Sequence, residues 1–383
     1  MVGSDVTLSV NFADGDVFGA NSSAGGAKDG VNDITVQSNK DTNAKWIREL
    51  DQNLNPGNGN QISAVIGFSA TRWVVGAAVS GRLTTNSGLT YAAGFTAPSG
   101  IYLVGASHRT DRTKGVFVTN DGHVRYTTDS GATWNTPATG QLANVTTIRD
   151  VHMERNVAGT NDNIYVVGIA AANDGFWVST DSGANFSQTN LAAISGNIAF
   201  LATYQDTVFV IDTGGIVTFK STDAGASFAT TGFNDNTDSP AKSGFAINGT
   251  AYVRALGECR NTDEAYDGVW LFGGAANAAR AAAITSASAP TESGITNWAV
   301  ATGTQTAYCI VYPQSVAAVN LGYPSFIVST SDGVSFYVRP LPLIYNNATD
   351  TTPLMFNTLS TLDDQTLIWV TPPTAGNLII IPL

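Results

Sequence analysis

The chain has 383 residues, 43% of them hydrophobic and only 13% charged, and its 18 Lys and Arg against 30 Asp and Glu leave a formal net charge of −12. That length suits one large domain or two ordinary ones, and the acidic balance speaks against electrostatic capture by nucleic acid or an anionic membrane. No apolar run approaches the ~20 residues of a membrane helix, and residues 1–11 lack the basic and continuous apolar regions of a secretory signal. In chain order, residues 1–30 read as an N-terminal arm: 6–11 alternates as a strand does, and the Gly/Ala/Ser-rich stretch 21–28 reads as flexible. From 31 to 383 the chain reads as runs of four to eight Val-, Ile-, Phe- and Thr-rich residues broken by Gly, Asn and Asp, the signature of short strands. Two consecutive units are clearest, with strands at 147–153, 163–169, 175–180 and 184–188, then at 198–204, 207–211, 216–221 and 226–230. Only 44–50 and the Ala-rich 275–284 look helical, and the repeat register gives both to strands. Near the end, 355–362, 366–371 and 378–382 read as strands, and 33–38 with 45–48 supply what completes their sheet.

One octet organises these strands. Asp129, Gly131 and Trp134 of the stretch 127–134 recur as Asp181, Gly183 and Phe186, and again as Asp223, Gly225 and Phe228. Looser copies hold Asn86, Gly88 and Tyr91, and Asp332, Gly333 and Phe336; a worn copy keeps Asp41 and Trp46 but has Asn43 in place of Gly. The closing aromatics recur at intervals of roughly 40–50 residues, which marks a solenoid, propeller or array. The interval from Phe228 to Phe336 is about double, so one unit has lost its motif and seven units result. Asp, Ser and Gly between β-rich runs make a tight turn, in which the carboxylate accepts turn amides and Gly takes φ > 0 without steric cost. The closing aromatic then packs into the hydrophobic layer beside its sheet.

This octet resembles the Asp-box (BNR) repeat, S-x-D-x-G-x-[TS]-[WF], of sialidases, sortilin-type receptors, some plant-polysaccharide hydrolases and photosystem assembly factors. The resemblance covers nearly the whole chain. It implies an all-β fold, a seven-bladed β-propeller of four-stranded blades around a channel, its ring closed by N- and C-terminal strands that share a blade. It also implies that the boxes are structural and lie away from the active face. It implies no particular activity, since the relatives share the box and not the chemistry. Sialidases carry an Arg-Ile-Pro-type motif before the first box; here Trp46-Ile47-Arg48 has the order wrong and sits inside a box, so sialidase activity is not expected.

In this strand order the loops joining strands two to three and strands four to one share the face that usually carries ligands in those relatives. The longest are 257–268, with Glu258, Cys259, Arg260, Asp263, Glu264, Tyr266 and Asp267, and 313–324, with Tyr323. On the opposite face, beside the boxes, lies 108–114 with Arg109, Asp111 and Arg112. Long loops on a rigid scaffold are where function concentrates. Glycoside hydrolysis needs two carboxylates ~5–5.5 Å apart for retention or ~6.5–9.5 Å for inversion; Asp150 on an inner strand and Asp263 on its loop are the candidate acids. Two cysteines, Cys259 and Cys309, one in each of two consecutive repeats, read as free thiols, with a disulfide between neighbouring blades as the alternative, and with His108, His123 and His152 they make no zinc spacing. No metal or cofactor is expected, the stretch 234–238 reads as a solvated loop, and no Ser-His-Asp, P-loop or dinucleotide signature occurs.

A neutral-polar surface rich in Gly, Ala, Ser, Thr and Asn, with almost no Cys or His, is common in β-proteins of viral particles and of the extracellular space. The expected function is a non-enzymatic structural or binding propeller of a bacteriophage virion (tail, head-decoration or host-contact component), partnered by other virion or assembly proteins. The alternative is an extracellular carbohydrate-active propeller that cleaves or holds a cell-surface glycan. An assembly factor of the photosystem kind is less favoured, because those usually carry an export signal and a more basic concave patch.

Overall fold

The computed structural model describes residues 62–234 apart from 78, 87, 89, 101, 172–173, 192–197 and 213–216, and elsewhere the strands together with 306 and 331. Among the described residues the chain contains thirty-one strands and no helix. They form seven sheets, and every strand pairing within them is antiparallel.

Sheet 1 runs Ile62–Ser69, Arg72–Ala77, Ser80–Thr84 and Ala92–Thr96. Sheet 2 has three strands, Tyr102–Ser107, Gly115–Thr119 and Val124–Thr127. Sheet 3 runs Val145–Arg155, Asp162–Ala170, Asp174–Ser179 and Ser187–Asn190. Sheet 4 runs Ile198–Tyr204, Thr207–Asp212, Val217–Ser221 and Ala229–Asn234. Sheet 5 holds Ala241–Ile247, Thr250–Glu258, Gly268–Leu271 and Ala282–Thr285. Sheet 6 holds Ser293–Ile295, Ala299–Val300, Ala307–Pro313, Ser325–Thr330 and Tyr337–Leu341.

The terminal sheet combines both ends of the sequence. Its order is Val6–Asn11, Val17–Ser22, Asn32–Gln37, Lys45–Leu50, Asn377–Pro382, Thr366–Thr371, Thr358–Asp363. The two ends do share this sheet: Asn377–Pro382 pairs with both Thr366–Thr371 and Lys45–Leu50, and Asn32–Gln37 lies outside Lys45–Leu50. The run Leu378-Ile379-Ile380-Ile381 suits a strand paired on both sides. Asn21 and Ser22, read as part of a flexible stretch, belong to the strand Val17–Ser22. The helical-looking 44–50 is the strand Lys45–Leu50, and 282–285 of the Ala-rich stretch is also a strand.

The last strands of sheets 3 and 4 start at Ser187 and Ala229, about three residues later than their sequence suggests. The octet explains the delay, because its residues up to the closing aromatic are held in a turn and cannot join a ladder.

The core lies in seams between consecutive sheets. Ala64, Ile66, Phe68, Val74, Ala97 and Phe117 fill the seam of sheets 1 and 2. Val116, Val118, Ile148, Val151, Met153, Ile164, Val166 and Trp177 are among those between sheets 2 and 3. Tyr165, Val167, Phe176, Leu201, Val208 and Val210 are among those between sheets 3 and 4. Strand Asp162–Ala170 shows why its sequence is apolar almost throughout: Ile164 and Val166 enter one seam, Tyr165 and Val167 the next. Successive residues point to opposite faces, and here both faces are covered. Each such side chain contributes about 1.5–3 kcal/mol on full burial.

Candidate functional site

The octet turns are built alike. In each, the hydroxyl of the first residue donates to the third and accepts the glycine amide. Thr127 donates to Asp129 Oδ1 at 2.8 Å and accepts Gly131 N at 2.9 Å. Ser179 does the same with Asp181 and Gly183 at 2.8 and 2.9 Å, and Ser221 with Asp223 and Gly225 at 2.6 and 2.8 Å. The carboxylate then accepts the amide four residues on, from Thr133, Asn185 and Ser227, at 2.8, 2.9 and 2.9 Å. The looser copy keeps the frame with Asn86 in place of Asp, Gly88 N reaching Thr84 Oγ1 at 2.9 Å and Thr90 N reaching Asn86 Oδ1 at 3.0 Å.

These hydrogen bonds set the carboxyls. Asp223 is held down at about 2 by the hydroxyls of Ser221 and Ser227 and the Ser227 amide. At Asp129 and Asp181 partial burial pushes upward, and bonds from Thr133 and Thr127, and from Asn185 and Ser179, outweigh it.

Each turn also wedges against the preceding sheet. A Cβ on Gly225 (φ +87) would stand 2.2 Å from the Phe176 ring, and one on Gly183 (φ +94) 3.0 Å from Tyr126. The closing aromatics follow the same direction. Trp134 lies 4.0 Å from Phe95 between ring centroids, Phe228 meets Phe176 edge-on at 5.1 Å, and Phe186 packs into the seam of sheets 2 and 3. Tyr91 accepts a hydrogen bond from the buried Trp73 Nε1 at 3.1 Å.

On the same side as the octets, a polar network joins the first strands of sheets 2, 3 and 4. His108 and Met153 form a parallel bridge, and Arg109 N donates to Met153 O at 3.1 Å. The Arg109 side chain, buried at 9% exposure, passes sheet 3 to reach sheet 4. Its Nη1 donates to Glu154 Oε1 (3.3 Å) and Thr203 O (2.8 Å), and its guanidinium lies 5.1 Å from the Tyr204 ring centre. Thr203 donates its hydroxyl to Glu154 at 2.8 Å, so His152 Nδ1 is the donor in its 2.9 Å contact with Thr203 Oγ1.

Asp150 is likewise buried. Its Oδ1 accepts Val151 N at 2.9 Å and its Oδ2 accepts Leu201 N of sheet 4 at 3.0 Å. Arg109 therefore does not stand out from its loop as a contact residue, and Asp150 is a clamp between sheets. Arg112 is half-buried on the same loop.

Asp162 anchors the rim of this network. Its carboxylate receives His108 Nε2 (3.2 Å), Arg155 Nε (3.2 Å) and Lys114 Nζ (2.7 Å). Thr110 and Asp111 donate backbone amides to His108 Nδ1 at 3.1 and 2.8 Å, which fixes the ring proton on Nε2. Burial pushes the Asp162 carboxyl up; the bonds from His108 and Lys114 outweigh it and hold it at about 2.

The opposite side carries a grouping that sequence reasoning did not assemble: Ser99, Asp121 and His123. Ser99 Oγ donates to Asp121 Oδ2 at 2.7 Å and lies 3.0 Å from His123 Nε2, while His123 Nδ1 lies 3.4 Å from Gly140 O. In a nucleophilic triad the carboxylate orients the imidazole and the imidazole takes the serine proton. Here the serine proton goes to the carboxylate, whose approach to the ring, 3.8 Å, is to the nitrogen that faces Ser99. Gln141 Nε2 adds a bond to Asp121 O at 2.6 Å, so the group ties three loops together. The signal was a second Thr-x-Asp, Thr119-Asn120-Asp121, which repeats the hydroxyl-to-carboxylate bond of the octet.

Arg260, Asp263, Glu264, Tyr266, Asp267 and Tyr323 lie outside the described residues, as do Asp41, Asp332, Gly333 and Phe336. Trp46 lies on the strand Lys45–Leu50 opposite Ile34. Cys309 is a fully buried free thiol, its pKa pushed up by burial. Among the described residues no cluster of His, Cys, Asp and Glu could hold a metal ion.

No protein-family model matches this chain, and no curated protein matches it. Solved structures do. YCF48 bound to D1 peptide is 11% identical with a TM-score of 0.55, the match covering 88% of this chain and 95% of that one. The WD40 repeats of RRP9 are 11% identical with a TM-score of 0.60, covering 85% and 96%. A catalytically inactive virginiamycin B lyase from Staphylococcus aureus with quinupristin is 10% identical with a TM-score of 0.58, covering 89% and 99%. Identities this low show the fold alone, and that fold is of the β-propeller kind.

Proposed function

We propose that the chain is a seven-bladed Asp-box propeller acting as a non-enzymatic structural and binding module of a bacteriophage virion. In this reading residues 31–383 form the ring and 1–30 extend outward from it. The pairing of Asn377–Pro382 with Lys45–Leu50, and the packing of Thr358–Asp363 on Ile62–Ser69, support closure by the two ends. The shared hydroxyl–carboxylate–glycine frame of the turns supports the Asp-box assignment.

One observation carries the functional reading. Three buried charged side chains at the first strands of sheets 2 to 4 are committed to the fold: Asp150 holds two backbone amides, and Arg109 with Glu154 joins three sheets. A scaffold needs such cross-ties, whereas a hydrolase needs carboxylates open to substrate. That YCF48 has been captured with a peptide supports protein partners as the ligand class.

Quantitative mass spectrometry of density-gradient fractions from the source tests the assignment. A fixed stoichiometry with capsid and tail proteins is expected. Absence from every particle fraction, with product release from a glycan panel, would replace the virion module by a carbohydrate-active propeller.

A further inference from the structure

We propose that Val6–Asn11 is a self-pairing edge through which two copies of this chain join into one continuous sheet. Among the described residues this strand pairs with Val17–Ser22 alone, over six consecutive residues without a register shift. A bare edge of that kind is a template for another strand, and proteins blunt it with brevity, charge, proline or a bulge. The far edges of the other sheets each carry such a device. Val124–Thr127, Ser187–Asn190 and Ala282–Thr285 are four residues long. Tyr337–Leu341 contains Arg339 and Pro340. The pairings of Ala92–Thr96 and Ala229–Asn234 break register. The sequence VTLSVN of Val6–Asn11 has no charge and no proline, and its ladder has no bulge.

The strand's own pattern selects a second copy as its occupant. Its two-residue period puts Val6, Leu8 and Val10 on one face and Thr7, Ser9 and Asn11 on the other. An antiparallel two-fold centred on Leu8 sets Val6 against Val10 and Leu8 against Leu8 on the first face, and Thr7 against Ser9 on the second. Like meets like on both faces, which is the self-complementarity a two-fold interface requires. A slip of one residue would set apolar against polar along the whole strand. Nothing in this pairing depends on the virion setting proposed above.

Sedimentation equilibrium of the full chain, with two double variants of equal bulk, decides the matter. Thr7→Lys with Ser9→Lys places like charges opposite each other at both Thr7–Ser9 pairs of the two-fold; Thr7→Lys with Ser9→Glu places opposite charges there. The expected result is a wild-type dimer whose association weakens at least roughly tenfold in the first variant and is retained in the second. Circular dichroism should show both variants folded. A wild-type chain that stays monomeric at every concentration overturns the proposal, and so does a dimer that both variants leave intact or that both abolish.

Discussion

Asp223 and Asp162 both keep their carboxyls at about 2, and they do so by different means. Asp223 sits exposed in a turn, and its partners Ser221 and Ser227 lie within four residues of it. Asp162 is buried, and its partners His108, Lys114 and Arg155 come from a neighbouring loop and from the strand before it. The first is local chemistry repeated wherever the octet recurs. The second exists only because sheets 2 and 3 meet. A hydrogen-bonded turn is self-sufficient, whereas a buried ion cluster depends on every element that contributes to it.

Substitution should separate the two. Asp162→Ala removes the buried one of the two carboxylates that Lys114 and Arg155 share, leaving them only the half-buried Asp111 at 3.3 and 4.0 Å, and breaking a buried pair costs about 3 kcal/mol at the low end of the usual range. Urea denaturation should show that loss; a change under about 1 kcal/mol would mean that the cluster relaxes freely into solvent. Gly225→Ala should cost about 2 kcal/mol, since the added Cβ strikes Phe176 and φ is +87. Gly140→Ala is its control: φ is +71 but nothing lies within 4 Å, so only backbone strain of about 1 kcal/mol remains. Equal losses at the two glycines would show that the close approach to Phe176 is unimportant. Ser221→Ala removes one donor and one acceptor from a turn that stays otherwise intact, for about 1 kcal/mol.

Acid provides a further comparison. Both carboxyls have folded-state pKa values of about 2, below the ordinary 3.8. Their stabilisation is therefore complete above about pH 4 and is lost as pH falls toward 2. A plot of Tm against pH should decline across that window, and less steeply in Asp162→Asn. An unchanged slope in that variant would assign the acid sensitivity to the turns.

The same contrast governs what the sequence revealed. The octet was legible because a hydroxyl, a carboxylate and a glycine at fixed short spacing can satisfy one another before any tertiary contact forms. Strand positions within sheets 3 and 4 were legible for the same local reason, apart from the delayed last strands, whose first residues the turn retains. The fates of Arg109 and Asp150 were not. A loop arginine and a strand aspartate look available in sequence, yet one reaches Thr203 and the other Leu201 on a different sheet. Ser99, Asp121 and His123 likewise meet only through the ends of two sheets.

Strand Asp162–Ala170, whose odd and even residues serve different seams, restricts how such a chain can change over time. Inserting or deleting one residue there would hand each neighbour the other's side chains, replacing Tyr165 and Val167 by Ile164 and Val166 in a single event. A two-residue change would preserve parity. Descendants of this chain are therefore expected to vary freely in loop length while the central strands lengthen or shorten only by pairs, a rule that a comparison of gap lengths among close relatives can check.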